Sequence, residues 1–94
     1  MLESKIEAAV CEYAKTKGFL VYKFTSPNRA AVPDRLFITP SGTTWFCEFK
    51  ATGKKPTPQQ EREHTRLRGN NAAVHVVDNI EMGIQIIDNW FNHQ

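Results

Sequence analysis

Asp34, Glu48 and Lys50 are the residues of this chain whose types and spacing could together hold a metal ion and hydrolyse a bound substrate. Glu48 and Lys50 are two positions apart, so on a β-strand their side chains point to the same face, roughly 6–7 Å from each other. Pro33 fixes the backbone before Asp34, and a hairpin turn at residues 40–42 brings Asp34 opposite Glu48. Two adjacent carboxylates repel each other, and Mg²⁺ or Mn²⁺, which prefer oxygen ligands, remove that conflict.

Each of these three residues also has a purely structural interpretation. Glu48 and Lys50 could form a salt bridge within the sheet, and Asp34 could accept hydrogen bonds from backbone N–H groups where its strand begins. However, aromatic residues lie on both faces of the strand that carries Glu48, so an unpaired charge there would be expensive. The combination of all three residues favours the metal site.

The hydrophobic pattern predicts seven elements in the order α-β-β-β-α-β-α. Ser4 is the predicted N-cap of the first helix, and Asp78 or Asn79 that of the last. A hairpin followed by a helical crossover predicts an α/β fold, with a mixed central sheet flanked by helices, in one domain over residues 1–94. The predicted helices cover residues 3–17 and 58–68 and a segment after 79, and the predicted strands cover 19–24, 35–39, 43–50 and 73–77.

The predicted helix over residues 58–68 is polar on nearly every side, and Leu67 is its only large apolar residue. Such a helix is either a solvated surface element or one that faces a ligand or a polar site. Thr57 is its predicted N-cap, and Pro58 occupies the first helical position, where a missing N–H costs nothing. Both interpretations of this helix remain open from the sequence.

The charge of the chain is unevenly distributed. The net charge is only +2, yet residues 50–68 hold six Lys or Arg residues against two Glu. No apolar run approaches the roughly 20 residues that span a bilayer, and the N-terminus lacks the apolar segment of a signal peptide. Cys11 and Cys47 are predicted to be buried, reduced thiols, and the protein is expected to be cytoplasmic. The spacing of cysteines and histidines fits no zinc site, so His64, His75 and His93 are not predicted ligands.

Several short motifs of the sequence, taken in order, resemble those of a known family. Val32-Pro33-Asp34, followed after thirteen residues by Glu48-Phe49-Lys50, resembles the PD-(D/E)XK nuclease signature. The whole ordered series resembles the virus-type replication–repair nuclease (VRR-NUC) domain, from the first helix to the last strand. Its other parts are Tyr22-Lys23-Phe24, Ser26-Pro27, Arg29, Arg35 and Gln60-x-x-x-His64-x-x-Leu67. One departure is Ala30-Ala31, where many members carry a glycine before Val-Pro-Asp.

The resemblance implies a restriction-endonuclease-like core, α-β-β-β-α-β plus a C-terminal helix. It also implies a structure-selective DNA endonuclease that depends on Mg²⁺ or Mn²⁺. Stand-alone members of the family resemble homodimeric resolvases that nick branched DNA such as four-way (Holliday) junctions, in phage or bacterial cells. Two alternatives remain open: an inactive DNA-binding module of the same fold, and a general or restriction-type nuclease.

The resemblance also assigns roles to particular residues. Asp34, Glu48 and the backbone carbonyl of Phe49 would hold the metal ion. Glu7 would approach the ion, through a water molecule, and Gln60 would support catalysis with Lys50. Glu7 and Gln60 each have a competing interpretation, because Ser4-x-x-Glu7 and Thr57-x-x-Gln60 are also capping boxes. The predicted phosphate contacts are Arg29, Arg35, Lys54, Lys55, Arg62, Arg66 and Arg68.

Overall fold

Four strands form one mixed sheet in the computed structural model of the protein, which describes all 94 residues. The strands run in the spatial order β1-β2-β3-β4, antiparallel except for the parallel pair β3–β4. This architecture confirms the predicted mixed α/β fold. The elements are α1 (Glu3–Thr16), β1 (Leu20–Lys23), β2 (Arg35–Ile38), β3 (Thr44–Phe49), α2 (Pro58–Gly69), β4 (Val74–Val77) and α3 (Ile80–Asn92).

Chain connections explain the mixture of strand directions. β2 and β3 are joined by a tight turn in which Gly42 has a φ of +96°, a conformation that glycine adopts without a steric penalty. β3 and β4 are parallel because α2 carries the chain back between them, as parallel neighbours require. Both connections agree with the predicted hairpin and crossover.

The core lies between one face of the sheet and the pair of helices α1 and α3. Phe37, Trp45 and Phe49 are almost completely buried on this face. The Trp45 ring is stacked between Phe37 and Trp90, with centroid distances of 4.3 Å and 5.9 Å. Both cysteines are buried and free, in agreement with the prediction. No helix combines the length and the apolar composition that crossing a bilayer requires.

The helix caps differ from the prediction at one place. α1 begins one residue before Ser4, its N-cap is Leu2, and no side chain caps it. The capping box proposed for Ser4 and Glu7 is therefore wrong. The Leu2 carbonyl accepts hydrogen bonds from Lys5 and Ile6, which starts the helix without a polar cap. The other two predicted caps are present: the Asn79 side chain accepts from Met82, and Thr57 forms a complete capping box with Gln60.

Gly83 lies at the closest approach of α1 and α3. A Cβ atom at this position would lie 2.4 Å from Cγ2 of Val10 and 3.0 Å from Cγ1. We expect Gly83→Ala to destabilise the protein by roughly 1–3 kcal/mol through overpacking, even though alanine favours a helix by about 1 kcal/mol. Urea denaturation of four proteins (wild type, G83A, V10A and the double variant) measures this. G83A should cost less when Val10 is already alanine, and an equal cost in both backgrounds would contradict the steric explanation.

Candidate active site

The register of the hairpin brings Asp34 and Glu48 together. Arg35 pairs with Cys47, so the residue before Arg35 stands opposite Glu48. Oδ2 of Asp34 accepts a hydrogen bond from the backbone N–H of Phe49 at 2.9 Å. Asp34 therefore does accept from a backbone N–H, but the donor belongs to the neighbouring strand and not to its own loop. This bond holds the Asp34 carboxylate against β3, beside Glu48.

Glu48 is the most unusual titratable residue of the site. Its side chain is 3% exposed, and Oε1 has no hydrogen-bond partner. Burial, and then the negative charge of Asp34, raise the pKa of Glu48 from its ordinary value of 4.5 to about 8. The ammonium of Lys50 acts in the opposite direction but lies 3.8 Å from Oε2, too far for a hydrogen bond. The ion pair with Lys50 exists, yet it does not compensate the buried carboxyl group.

Helix α2 covers Glu48 with the polar side of the helix. Nε2 of Gln60 donates to Oε2 of Glu48 at 3.2 Å, while Oε1 of Gln60 accepts from the backbone N–H of Thr57 at 2.9 Å. The two interpretations of Gln60 thus apply at the same time, because one amide caps the helix and contacts the site. The interpretation of α2 as a solvated surface helix is wrong for this face.

His64 joins the site, although the sequence singled it out only as part of the family pattern and not as a ligand. Its side chain is 1% exposed, and Nε2 lies 3.8 Å from Oε1 of Glu48 with no hydrogen-bond partner. Burial lowers the pKa of His64, which favours a neutral ring. The available signal was its position four residues after Gln60, on the same face of an otherwise polar helix.

Glu7 reaches the same region but has a different partner from the one predicted. Its Oε2 accepts a hydrogen bond from Nε of Arg35 at 2.6 Å, and both side chains are 21% exposed. Glu7 and Asp34 line one cavity of about 300 Å³, so the helical acid does face the site. Its carboxylate is paired with the Arg35 guanidinium. The other lining residues are Glu3, Lys23, Phe24 and Thr25.

The donor set of this site fits Mg²⁺ or Mn²⁺ better than zinc. No group of three His, Cys, Asp or Glu side chains in the chain is close enough to hold a metal ion. Mg²⁺ commonly uses only one or two carboxylates and completes its octahedron with carbonyls, water and substrate phosphate. A structural zinc site would need four protein ligands. The unpartnered Oε1 of Glu48, beside Asp34, is a donor arrangement that a hard cation would satisfy.

Two known proteins resemble this chain, one in its solved structure and one in its sequence. A solved structure described as a "VRR_NUC domain" matches the fold with a TM-score of 0.86 and 35% sequence identity, over 94% of this chain and 96% of that chain. A protein described as "Putative nuclease p44", from Acyrthosiphon pisum secondary endosymbiont phage 1, is 44% identical over 80 residues. That match covers 85% of this chain and 86% of the relative. No family sequence model matches the chain. The chain belongs to the VRR-NUC family.

The position where this chain departs from the VRR-NUC pattern has a specific backbone requirement. Ala31 has a φ of +66°, in the left-handed region that favours glycine. The chain therefore keeps the turn that a glycine would make, at a steric cost of about 1–2 kcal/mol. Ala31 adopts this conformation directly before Val32-Pro33-Asp34, and Asp34 contacts β3 through the N–H of Phe49.

The predicted phosphate-contacting residues do not form one surface. Arg29, Arg62 and Arg66 line a cleft on one side of α2, and Lys54, Lys55 and Arg68 line a cavity on another side. Arg68 also donates to the carbonyl of Val74 at 2.6 Å, which ties α2 to β4. Arg35 belongs to neither group because it is paired with Glu7. Helix α2 therefore lies between two separate groups of basic side chains.

The raised pKa of Glu48 predicts how stability depends on pH. In metal-free protein the folded state holds this proton up to about pH 8, whereas an unfolded glutamate releases it near 4.5. Between these values the folded state binds more protons, so the free energy of unfolding falls as the pH rises. We expect Glu48→Gln to remove this loss, so that the variant gains stability relative to wild type between pH 5 and pH 9.

Urea denaturation in the presence of a chelator, at several pH values, measures this effect. Glu12→Gln is the matched control because Glu12 is exposed on α1, and its stability should follow that of wild type. Parallel pH profiles for wild type and E48Q would show that Glu48 titrates normally.

Proposed function

We propose that this chain is a metal-dependent DNA endonuclease that hydrolyses phosphodiester bonds with Asp34, Glu48 and Lys50. The observation that carries the proposal is the buried Oε1 of Glu48, which lacks a partner beside a second carboxylate. Such an arrangement is costly in the absence of a cation and favourable in its presence. Membership in the VRR-NUC family supports nuclease activity. The cofactor is Mg²⁺ or Mn²⁺.

The carboxylates of Asp34 and Glu48, with the backbone carbonyl of Phe49, would hold the ion. When bound, such an ion supplies a Lewis acid for a phosphate oxygen and lowers the pKa of a coordinated water. Gln60 fixes the orientation of Glu48 through its 3.2 Å hydrogen bond. Glu7 lines the same cavity and contributes through water, while Arg35 holds its carboxylate in place.

Lys50 provides the positive charge that the protein itself brings to the reaction. Its side chain is 14% exposed and shares the sheet face of Glu48, so it is directed toward the same substrate phosphate. An ammonium in this partly dehydrated position stabilises the charge that develops on the phosphoryl oxygens in the transition state. His64, buried behind Glu48, excludes water from the rear of the carboxyl group.

We propose branched DNA, such as a four-way junction, as the substrate and a homodimer as the active form. Paired nicks at a junction require two active sites, which a two-fold dimer supplies. The sheet face that carries Glu48 supports dimerisation because α2 lies over β3 and β4 and leaves the strands β1 and β2 open. On this face Leu20 and Tyr22 are 53% and 52% exposed. Exposed apolar residues grouped on one face are typical of a protein interface.

Loss of either carboxylate or of the lysine should abolish cleavage. We expect D34N and K50A to lower the rate of DNA cleavage by at least roughly 10²–10³-fold, since D34N removes a ligand of the metal ion and K50A removes a positive charge that stabilises the transition state. DNA binding should persist because the basic clefts are unchanged. The measurement compares single strands, nicked duplexes, flaps and four-way junctions, with Mg²⁺, with Mn²⁺ and with a chelator.

Glu12→Gln serves as the control and should cut like wild type. Junction-selective paired nicking supports the resolvase proposal, whereas uniform degradation of all substrates supports a general nuclease. Efficient cutting by purified D34N would rule out the site. Binding of DNA without cleavage by the wild type would favour an inactive binding module.

The homodimer has its own test at Leu20. This residue lies on the edge strand β1, at the end away from Asp34, so a lysine there disturbs the open face without touching the site. We expect wild type to sediment as a dimer and Leu20→Lys as a monomer in analytical ultracentrifugation. Leu2→Lys introduces the same change at a residue that is 65% exposed outside the sheet, and it should remain dimeric. A wild type that is monomeric at all concentrations would contradict the homodimer.

A further inference from the structure

A second polar cleft lies on the side of α2 that turns away from Glu48. It has a volume of about 490 Å³ and is larger than the cavity at Asp34. Its wall combines one side of α2 with the loop that precedes β2. The lining residues are Asn28, Arg29, Ala30, Gln59, Arg62, Glu63 and Arg66, and we call this site the arginine cleft.

The arginine cleft is organised around one buried carboxylate. Glu63 is 6% exposed, although it lies on a helix that is otherwise largely exposed on this side. Its Oε1 accepts from Nε of Arg29 at 2.6 Å and lies 3.7 Å from Nε of Arg66. Each of the two guanidinium groups therefore directs its own Nε atom toward Glu63. Their terminal amino groups have no partner within the protein and remain available to a ligand.

The charge of the arginine cleft suits an anion even after Glu63 is counted. Three guanidinium groups surround one carboxylate, so the cleft keeps a net positive charge. A guanidinium group presents a planar fork of donors that matches a phosphate in two-point contacts. Glu63 holds the Arg29 fork in place by a hydrogen bond and attracts Arg66 at 3.7 Å before any ligand arrives, which lowers the ordering cost of binding. The chemistry of the cleft is that of a preorganised phosphate site.

The loop between β1 and β2 connects the arginine cleft with the catalytic cavity. Phe24, Thr25 and Asp34 line the cavity, whereas Asn28, Arg29 and Ala30, in the middle of the same loop, line the cleft. A nucleic-acid strand that places one phosphate at Asp34 can therefore run along this loop toward the cleft. The two sites therefore share this loop as a common wall.

We propose that the arginine cleft binds a second phosphate group of the DNA strand whose scissile phosphate lies at Asp34 and Glu48. This inference rests on the proposed nuclease function and adds a subsite to it. The bound group is a phosphate, either an internal diester or a terminal monoester. Binding there fixes the position of the strand relative to the catalytic residues, so the cleft sets the affinity for DNA and the distance between the cut and a neighbouring phosphate.

Arg62→Gln is the direct test because Arg62 lines the cleft and does not contact Glu63. We expect roughly a ten-fold loss of affinity for a fluorescent oligonucleotide, measured in a chelator, since one charge-assisted phosphate contact is lost. The slope of log affinity against log salt should become shallower by about 0.7 for single strands or 0.9 for duplex DNA. Lys15→Gln removes the same charge from an exposed site on α1, and it should leave both quantities unchanged. Equal effects of R62Q and K15Q would overturn the subsite.

Glu63→Gln distinguishes DNA binding by positioned arginine side chains from general electrostatic attraction. The change raises the net charge by one unit, so attraction by overall charge alone predicts tighter binding of DNA. If Glu63 positions Arg29 for the ligand, the variant should instead bind DNA several-fold more weakly, with the thermal unfolding profile checked in parallel. Tighter binding by a folded E63Q would overturn the proposal.

A small activated diester, bis(p-nitrophenyl) phosphate, distinguishes failure of the subsite from failure of the nuclease proposal. It offers a scissile phosphate but no second one, so R62Q should lose about ten-fold more activity on DNA than on this compound. Equal losses on both would overturn the subsite. If wild type hydrolyses neither DNA nor the small diester, the nuclease proposal fails, whatever the binding data show.

Oligonucleotides with a 5′-phosphate or a 5′-hydroxyl then identify the source of the bound group. A preference for the 5′-phosphate that disappears in R62Q assigns the cleft to a terminal monoester. Equal binding of both by wild type, reduced alike in R62Q, assigns it to an internal diester. Either result supports the subsite. Only the first would mean that the enzyme recognises a 5′-phosphorylated end.

Discussion

The buried carboxyl group of Glu48, held against a second carboxyl group, is the constraint on which the structure of this protein depends. A carboxylate in such a place loses most of its hydration, and the raised pKa of Glu48 reflects that loss. Three elements converge to create the arrangement. The β2–β3 register brings Asp34 opposite Glu48, Lys50 follows the end of β3, and α2 covers the site with Gln60. The fold tolerates the electrostatic cost at this position, and the binding of a cation there would relieve it.

This constraint explains the composition of α2. A helix at the surface of a small domain normally buries an apolar stripe, whereas α2 buries Glu63 and His64. Each of these polar residues meets a polar group from another element: His64 faces Glu48, and Glu63 holds Arg29. The helix therefore separates two polar sites, and its polarity on several sides follows from having one site on each flank. The complete capping box at Thr57 stabilises the start of this helix locally.

The features that could be predicted from the sequence are those fixed by short-range patterns. The turn at residues 40–42 sets the hairpin register, and that register places Asp34 opposite Glu48. The capping box at Thr57 was predictable for the same reason, because all its partners lie within one helical turn. At Ser4 the same pattern misled, since Glu7 finds Arg35, 28 residues later, and leaves the helix terminus. The pair of Arg29 and Glu63, 34 residues apart, was equally hidden from local patterns.

These long-range ion pairs also determine where a cation would bind. Glu7 and Glu63 each accept from an arginine at 2.6 Å, so their charge is already compensated within the protein. The nearest ammonium to Glu48 is 3.8 Å away and makes no hydrogen bond with it. Since Coulomb attraction grows as the separation shortens and as water is excluded, a divalent ion gains most at the pair of carboxyl groups that lacks such a partner. In the proposed function, these pairings leave Asp34 and Glu48 as the direct carboxylate ligands of the ion, while Glu7 acts only through water.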